Sequence, residues 1–189
     1  ASAITLGVLM QAALAFQKVE SAFAFCITSY AKIAEWRAVM NRVAQFEAAD
    51  NMTDSNAALA LLAQLDAPER EQALAAFYQR WQGEAIVLDR WFSVQAGSRR
   101  MQALDDVKAL LNHPAYAPRN PNRVRALVGV FVHGNPARFH AADGAGYAFL
   151  ADQVLAIDAF NPMLAARLVQ ALARWRRFEP GRQALMRAQ

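Results

Sequence analysis

Asn120-Pro121-Asn122-Arg123-Val124-Arg125-Ala126-Leu127-Val128-Gly129-Val130-Phe131 decides the fold class. An Asn side chain can accept a free backbone N–H at a helix start, and Pro in the first turn lacks an N–H that would be orphaned anyway. Behind this start, Val124, Leu127, Val128 and Phe131 follow the i, i+3, i+4, i+7 spacing that gathers side chains on one helix face.

The same grammar recurs along the chain. Leu74, Phe77, Tyr78 and Trp81 repeat the spacing, as do Tyr147, Leu150, Ala151 and Val154. Asn135-Pro136 and Asn161-Pro162 repeat the start signal, and Asp66 with Glu69 has the form of a capping box. Gly83, Gly97 and Gly134 stand where helices should stop. No stretch sustains the period-two alternation of a strand. Residues 54–188 therefore predict eight or nine short helices, stacked as antiparallel pairs into a superhelical array.

Residues 1–47 differ. They contain no Pro and a single Gly, Gly7. Apolar positions continue through Leu6, Leu9, Phe16, Phe23, Ile27, Tyr30, Ile33, Trp36, Met40 and Val43. One long helix ending before Asp50 is expected, about 65 Å if unbroken. Residues 1–30 are nearly all apolar, interrupted by Lys18 and Glu20. That leaves open a helix leaving a membrane, but no run of 18 residues is free of charge, and a soluble helix is favoured.

Bulk composition narrows the chemistry. The 189 residues are 56% hydrophobic and carry a net charge of +4, enough apolar material for a real core. The excess of basic residues is mild, and no nucleic-acid partner is expected. One cysteine, Cys26, excludes an internal disulfide and a cysteine-based zinc site. The first residue is Ala1, not Met, and the chain is expected to be a fragment.

Residues 48–189 resemble the C-terminal domain of bacterial aminopeptidase N, the alanyl aminopeptidase type of zinc metallopeptidase. The runs that carry this are Ala49–Asp54, Ala75–Trp81, Trp91–Ala96, Asn120–Leu127, Phe139–Tyr147 and Asn161–Arg167. The resemblance implies an all-α superhelical domain, incomplete at its extreme C-terminus. In the full, cytoplasmic bacterial enzyme it would pack against a catalytic domain and close over the chamber for a peptide substrate. Residues 1–47 resemble a different family through Thr5–Gln11 and Tyr30–Ala38. These runs are similar to the last membrane helix and linker of fused ABC permease/ATP-binding proteins, relatives of SbmA/BacA-like peptide-uptake permeases. A chimera with its junction at 45–49 is the expectation this raises, and a helical interaction module without enzymatic role is a third.

Neither family's chemistry is present in the sequence. The aminopeptidase needs H-E-x-x-H, two zinc ligands on one helix face with a Glu base between them. His113, His133 and His140 have no such spacing, so no cofactor is expected in this chain; zinc belongs to the full enzyme. Lys108 lacks the Gly frame of a phosphate-binding loop. No catalytic residue is assigned. The resemblance instead implies that Arg125 and Arg167 line the substrate channel, where a guanidinium can hold a peptide carboxylate. The alternative is that both pair with nearby acids or cap helix ends. His133 is expected at a helix C-terminus and His113 facing solvent. Asp143 is expected as a helix cap rather than part of a phosphate loop, and Arg174-Trp175-Arg176-Arg177 as a solvated face.

Overall fold

The computed structural model describes residues 6–49 and 51–189. The beginning of the first helix at residues 1–5, the side chains of Leu6 and Leu9, and Asp50 as terminator lie outside the described residues. No strand occurs among the described residues, and the fold is all-α. The chain divides into two units, Ala1–Ala44 and Gln45–Gln189.

The described residues of the first unit all belong to one helix, which ends three residues into the second. Helix α1 runs Leu6–Glu47, 42 residues, about 63 Å at 1.5 Å per residue. No Pro or Gly interrupts it after Gly7. Among the described residues no helix is long and apolar enough to cross a membrane.

The second unit is an array of short helices. These are α2 (Met52–Leu62), α3 (Pro68–Trp81), α4 (Ala85–Ala96), α5 (Ala103–Leu110) and α6 (Pro121–Val124), followed by a π-helical segment, Arg125–Gly134. Then come α7 (Pro136–Phe139), α8 (Ala145–Asp158), α9 (Pro162–Val169) and α10 (Pro180–Arg187), with short 3₁₀ turns at Gln170–Leu172 and Trp175–Arg177. Sequence neighbours pack together, α2 on α3, α3 on α4, α4 on α5, and α8 on α9. Helix α4 is the hub, touching α2, α3, α5, α6 and the π segment. Its Trp91 indole N–H donates to the Leu74 carbonyl of α3 at 2.9 Å, and Phe92 is fully buried. A second aromatic cluster joins the later elements: Phe131 meets Phe139 and Phe149 edge-on, and Phe139 meets Tyr147.

Val124, Leu127, Val128 and Phe131 all point inward as their spacing requires. The backbone that carries them is nonetheless wound as π-helix from Arg125 onward, not α. Adding a residue per turn aligns positions five apart. Ala126 then sits above Phe131 and Leu127 above Val132, and all four are buried.

Three local expectations fail for one reason: a tertiary partner outbids the local one. Asp66 and Glu69 do not form a capping box. Helix α3 starts at N-cap Ala67 without a side-chain cap, and Asp66 pairs with Arg100 instead. Asn135 sits before Pro136 but donates its amide to the carbonyls of Ala96 and Ser98, 3.0 and 2.6 Å away. His113 is half-buried rather than free in solvent; it packs against Tyr78, Trp91 and Phe92, and its Nδ1 accepts from Ala115 N–H. Asn120 and Asn161 do cap, accepting from Asn122 N–H and Leu164 N–H.

The link between α7 and α8 depends on two glycines. Gly144 holds φ +72°, a left-handed conformation that a side chain resists. Two residues on, a Cβ at Gly146 would fall 2.3 Å from the Phe139 carbonyl oxygen, so only glycine fits.

Candidate functional site

Two capped helix starts build the candidate site. Asn120 and Pro121 fix the first turn of α6, and Arg125 follows one turn later at the beginning of the π segment. Asn161 and Pro162 fix the first turn of α9, and Arg167 follows in its last turn. The fold brings these two starts together. Pro121, Arg125, Asn161, Met163, Leu164 and Arg167 line one hollow of about 200 Å³. The two arginines stand 42 positions apart in sequence, and no spacing rule connects them.

No acid lines this hollow. Arg125 donates from Nη1 to the Asn122 side-chain oxygen at 3.0 Å, a neutral acceptor on its own first turn. Of the alternative that both arginines pair with nearby acids or cap helix ends, the first half is not what the structure holds, for among the described residues neither forms an ion pair; Arg167 does stand in the last turn of α9. Two guanidiniums without counter-charge make the hollow electropositive. A guanidinium presents a planar fork of donors matched to a carboxylate or phosphate. Met163, 73% exposed, gives the rim an apolar side. Asn161 and Met163 were missed as lining residues; the only sequence signal for them was the cap at the start of α9.

The other arginines explain the contrast. Arg70, 3% exposed, and Arg100 both bind Asp106 Oδ2, at 2.9 and 2.8 Å, and each holds a second carboxylate, Glu71 and Asp66 respectively. Arg123 pairs with Asp89 at 2.9 Å and lies over the Phe92 ring. These side chains stitch helices together, and their charge is already met by carboxylates.

The histidines do not form a metal site. Among the described residues no three of His, Cys, Asp and Glu come together as a group that could hold a metal ion. Zinc therefore has no fitting donor set in the described residues. His133 is exposed in the last turn of the π segment. His140 packs on Phe139 and Phe178, and its Nδ1 shares a hydrogen bond with the Tyr147 hydroxyl at 3.0 Å. Burial, with the Arg182 charge adding to it, holds His140 below the ordinary histidine range; burial alone does the same for His113. Burial pushes the Tyr116 hydroxyl up to about 12.

Asp143 Oδ1 accepts from Ala145 N–H at 3.0 Å, so it serves the start of α8. In the basic cluster, Arg174, Arg176 and Arg177 are exposed, and Arg176 and Arg187 both lie over the Trp175 ring.

Comparison with known proteins gives concordant matches. Residues 22–189 match the family described as "Domain of unknown function (DUF3458_C) ARM repeats". Aminopeptidase N of Caulobacter vibrioides is 53% identical over 144 residues, 76% of this chain and 17% of that protein. Aminopeptidase N of Escherichia coli is 40% identical over 144 residues, with the same shares. Among solved structures, Legionella pneumophila aminopeptidase A in complex with aspartic acid superposes with a TM-score of 0.78 at 34% identity, over 82% of this chain and 18% of that one. The chain thus spans about a sixth of the length of the relatives it matches.

Proposed function

Since the chain belongs to the DUF3458_C family of ARM-repeat domains, we propose that it serves as the non-catalytic C-terminal helical domain of a zinc-dependent aminopeptidase. In that role it shapes access to an active site carried by the rest of the enzyme. Arg125 and Arg167 act as the channel's anion-holding pair, engaging the free carboxylate of a peptide whose amino end lies at the zinc. The observation that supports this is the hollow they share, which carries no acid. The partner is then the catalytic domain, the substrate a peptide, and the zinc lies outside this chain.

The test has two parts. The chain alone, incubated with zinc, should not hydrolyse an alanyl substrate; measured hydrolysis would overturn a non-catalytic role. The chain should then replace the matching segment of the Caulobacter vibrioides enzyme. There Arg125→Ala and Arg167→Ala should each raise KM about tenfold for peptides with a free C-terminal carboxylate, the effect of losing one charge-assisted hydrogen bond of about 1.5 kcal/mol. An anilide substrate that lacks the carboxylate should be unaffected. An equal change for both substrates, or none for either, would remove the proposed role.

For residues 1–47 the permease resemblance rests on its two short runs alone. The family match begins at residue 22 and already takes in Tyr30–Ala38, and the relatives named above lend a transporter no support. A helical interaction module has one observation in its favour, the exposed apolar side chains of α1.

A further inference from the structure

Large apolar side chains stand exposed along α1, and six of them, Phe16 79%, Val19 52%, Phe23 66%, Tyr30 75%, Ile33 56% and Met40 40%, fall on one line, with Ile27 and Trp36 beside it and Met10, Leu14 and Phe25 away from it. With Cys26 and Arg37 the six fall at 16, 19, 23, 26, 30, 33, 37 and 40, alternating steps of three and four. That is the 3.5-residue period of a coiled-coil seam rather than the 3.6-residue period of a straight helix lying on a core. The opposite face repeats every seven residues as well. Ser21, Thr28, Glu35 and Arg42 occupy it, all polar. Ser21 and Thr28 turn their hydroxyls back onto the carbonyls of Gln17 and Ala24, at 2.8 and 2.7 Å. The hydroxyls of this face are thus satisfied within the helix.

We propose that α1 pairs with α1 of a second copy of this chain as an antiparallel coiled coil centred near Thr28. Charge sets the direction. In a parallel pair Arg37 would face Arg37 of the second copy inside the seam, a like-charge contact. In the antiparallel pair Arg37 meets Val19 of the second copy beside its Glu20, and symmetry makes this favourable contact twice. Size agrees. Phe23 faces Ile33, Phe16 faces Met40, and at the edge Trp36 falls against Ala22, the largest side chain against one of the smallest. Phe16, Phe23, Tyr30 and Trp36 alone can bury roughly 600 Å² per helix. The aliphatic seam residues bring the total toward the ~800 Å² per partner of a standard interface.

The test uses the full chain without detergent. Sedimentation equilibrium should give twice the 20.8 kDa chain mass. Phe23→Glu with Ile33→Glu should halve that mass while the far-ultraviolet helix signal of the second unit persists. Phe25→Glu, at a residue equally exposed (72%) but off the seam, should keep the dimer. Tyr30→Cys should allow oxidation to a cross-linked dimer through Cys26 of the second copy, whereas the unsubstituted chain should cross-link poorly. A single-chain mass for the unsubstituted protein, a mass of more than two chains, a dimer that survives the double substitution, or efficient Cys26–Cys26 cross-linking would each overturn the proposal.

Discussion

Arg70 and Arg100 at the α3–α5 junction, and Arg125 and Arg167 at the α6–α9 hollow, are the same side chain in opposite circumstances. The first pair is largely buried and shares one carboxylate, Asp106, with a further acid on each. The second pair is exposed, and among the described residues it has no acid partner. A buried guanidinium must be neutralised, because leaving it unpaired costs several kcal/mol. An exposed one need not be, and can wait for a ligand. Arginine count therefore says little about function; the location of the counter-charge says more.

The sharpest way to break this contrast is Asp106→Ala. It takes the shared carboxylate from two guanidiniums that are 3% and 12% exposed, leaving each with only its exposed second acid, and stability should fall by about 1.5–3 kcal/mol in urea unfolding. A loss under 1 kcal/mol would mean the junction is no more dependent on pairing than the hollow. Gly146→Ala comes next. It forces a methyl group into the Phe139 carbonyl and should cost about 1–3 kcal/mol by overpacking, visible as a lowered Tm. An unchanged Tm would show that the α7–α8 bend yields easily.

A smaller effect is expected from pH. His113 and His140 are held below the ordinary histidine value of 6.5 when folded. The unfolded chain then binds protons first, so stability should be full above that value and decline as pH falls through it. His140→Phe should flatten the slope between pH 7.5 and 5.5 in urea midpoints, and an unaltered slope would place the titration elsewhere. The smallest effect sharpens the comparison from its other side. Arg125→Ala and Arg167→Ala should each change stability by less than about 0.5 kcal/mol. A loss of 2 kcal/mol at either would make it a structural arginine like Arg70.

What the sequence disclosed follows a physical line. Caps at Asn120 and Asn161 were legible because donor and acceptor lie within three residues. Asn135 carries the same Asn-Pro signature, yet its partners lie 37 and 39 positions away. Nothing in a local pattern records such a distance. Asp66 and His113 were misjudged for the same reason. The inward face of the π segment was legible from apolar spacing, and those of α3 and α8 in part, since Tyr78, Trp81, Ala151 and Val154 are only half-buried; the π winding was not legible, since residues 124, 127, 128 and 131 serve either geometry. Arg125 and Arg167 came from family resemblance alone; their meeting in one hollow is a product of the fold.

The π winding has a consequence for how this protein can change length. A segment wound with an extra residue per turn holds slack. Removing one residue near Gly129, which is only part-buried and where an added Cβ would make ordinary contact with the Arg125 Cβ at 3.6 Å, lets a turn tighten toward ordinary α pitch. The stretch that begins at Arg125 is thus a more tolerant point for single-residue deletion than the α-wound helices of the array, which hold no such slack. Lineages that lose a residue there would keep the fold but rotate Arg125 relative to Arg167.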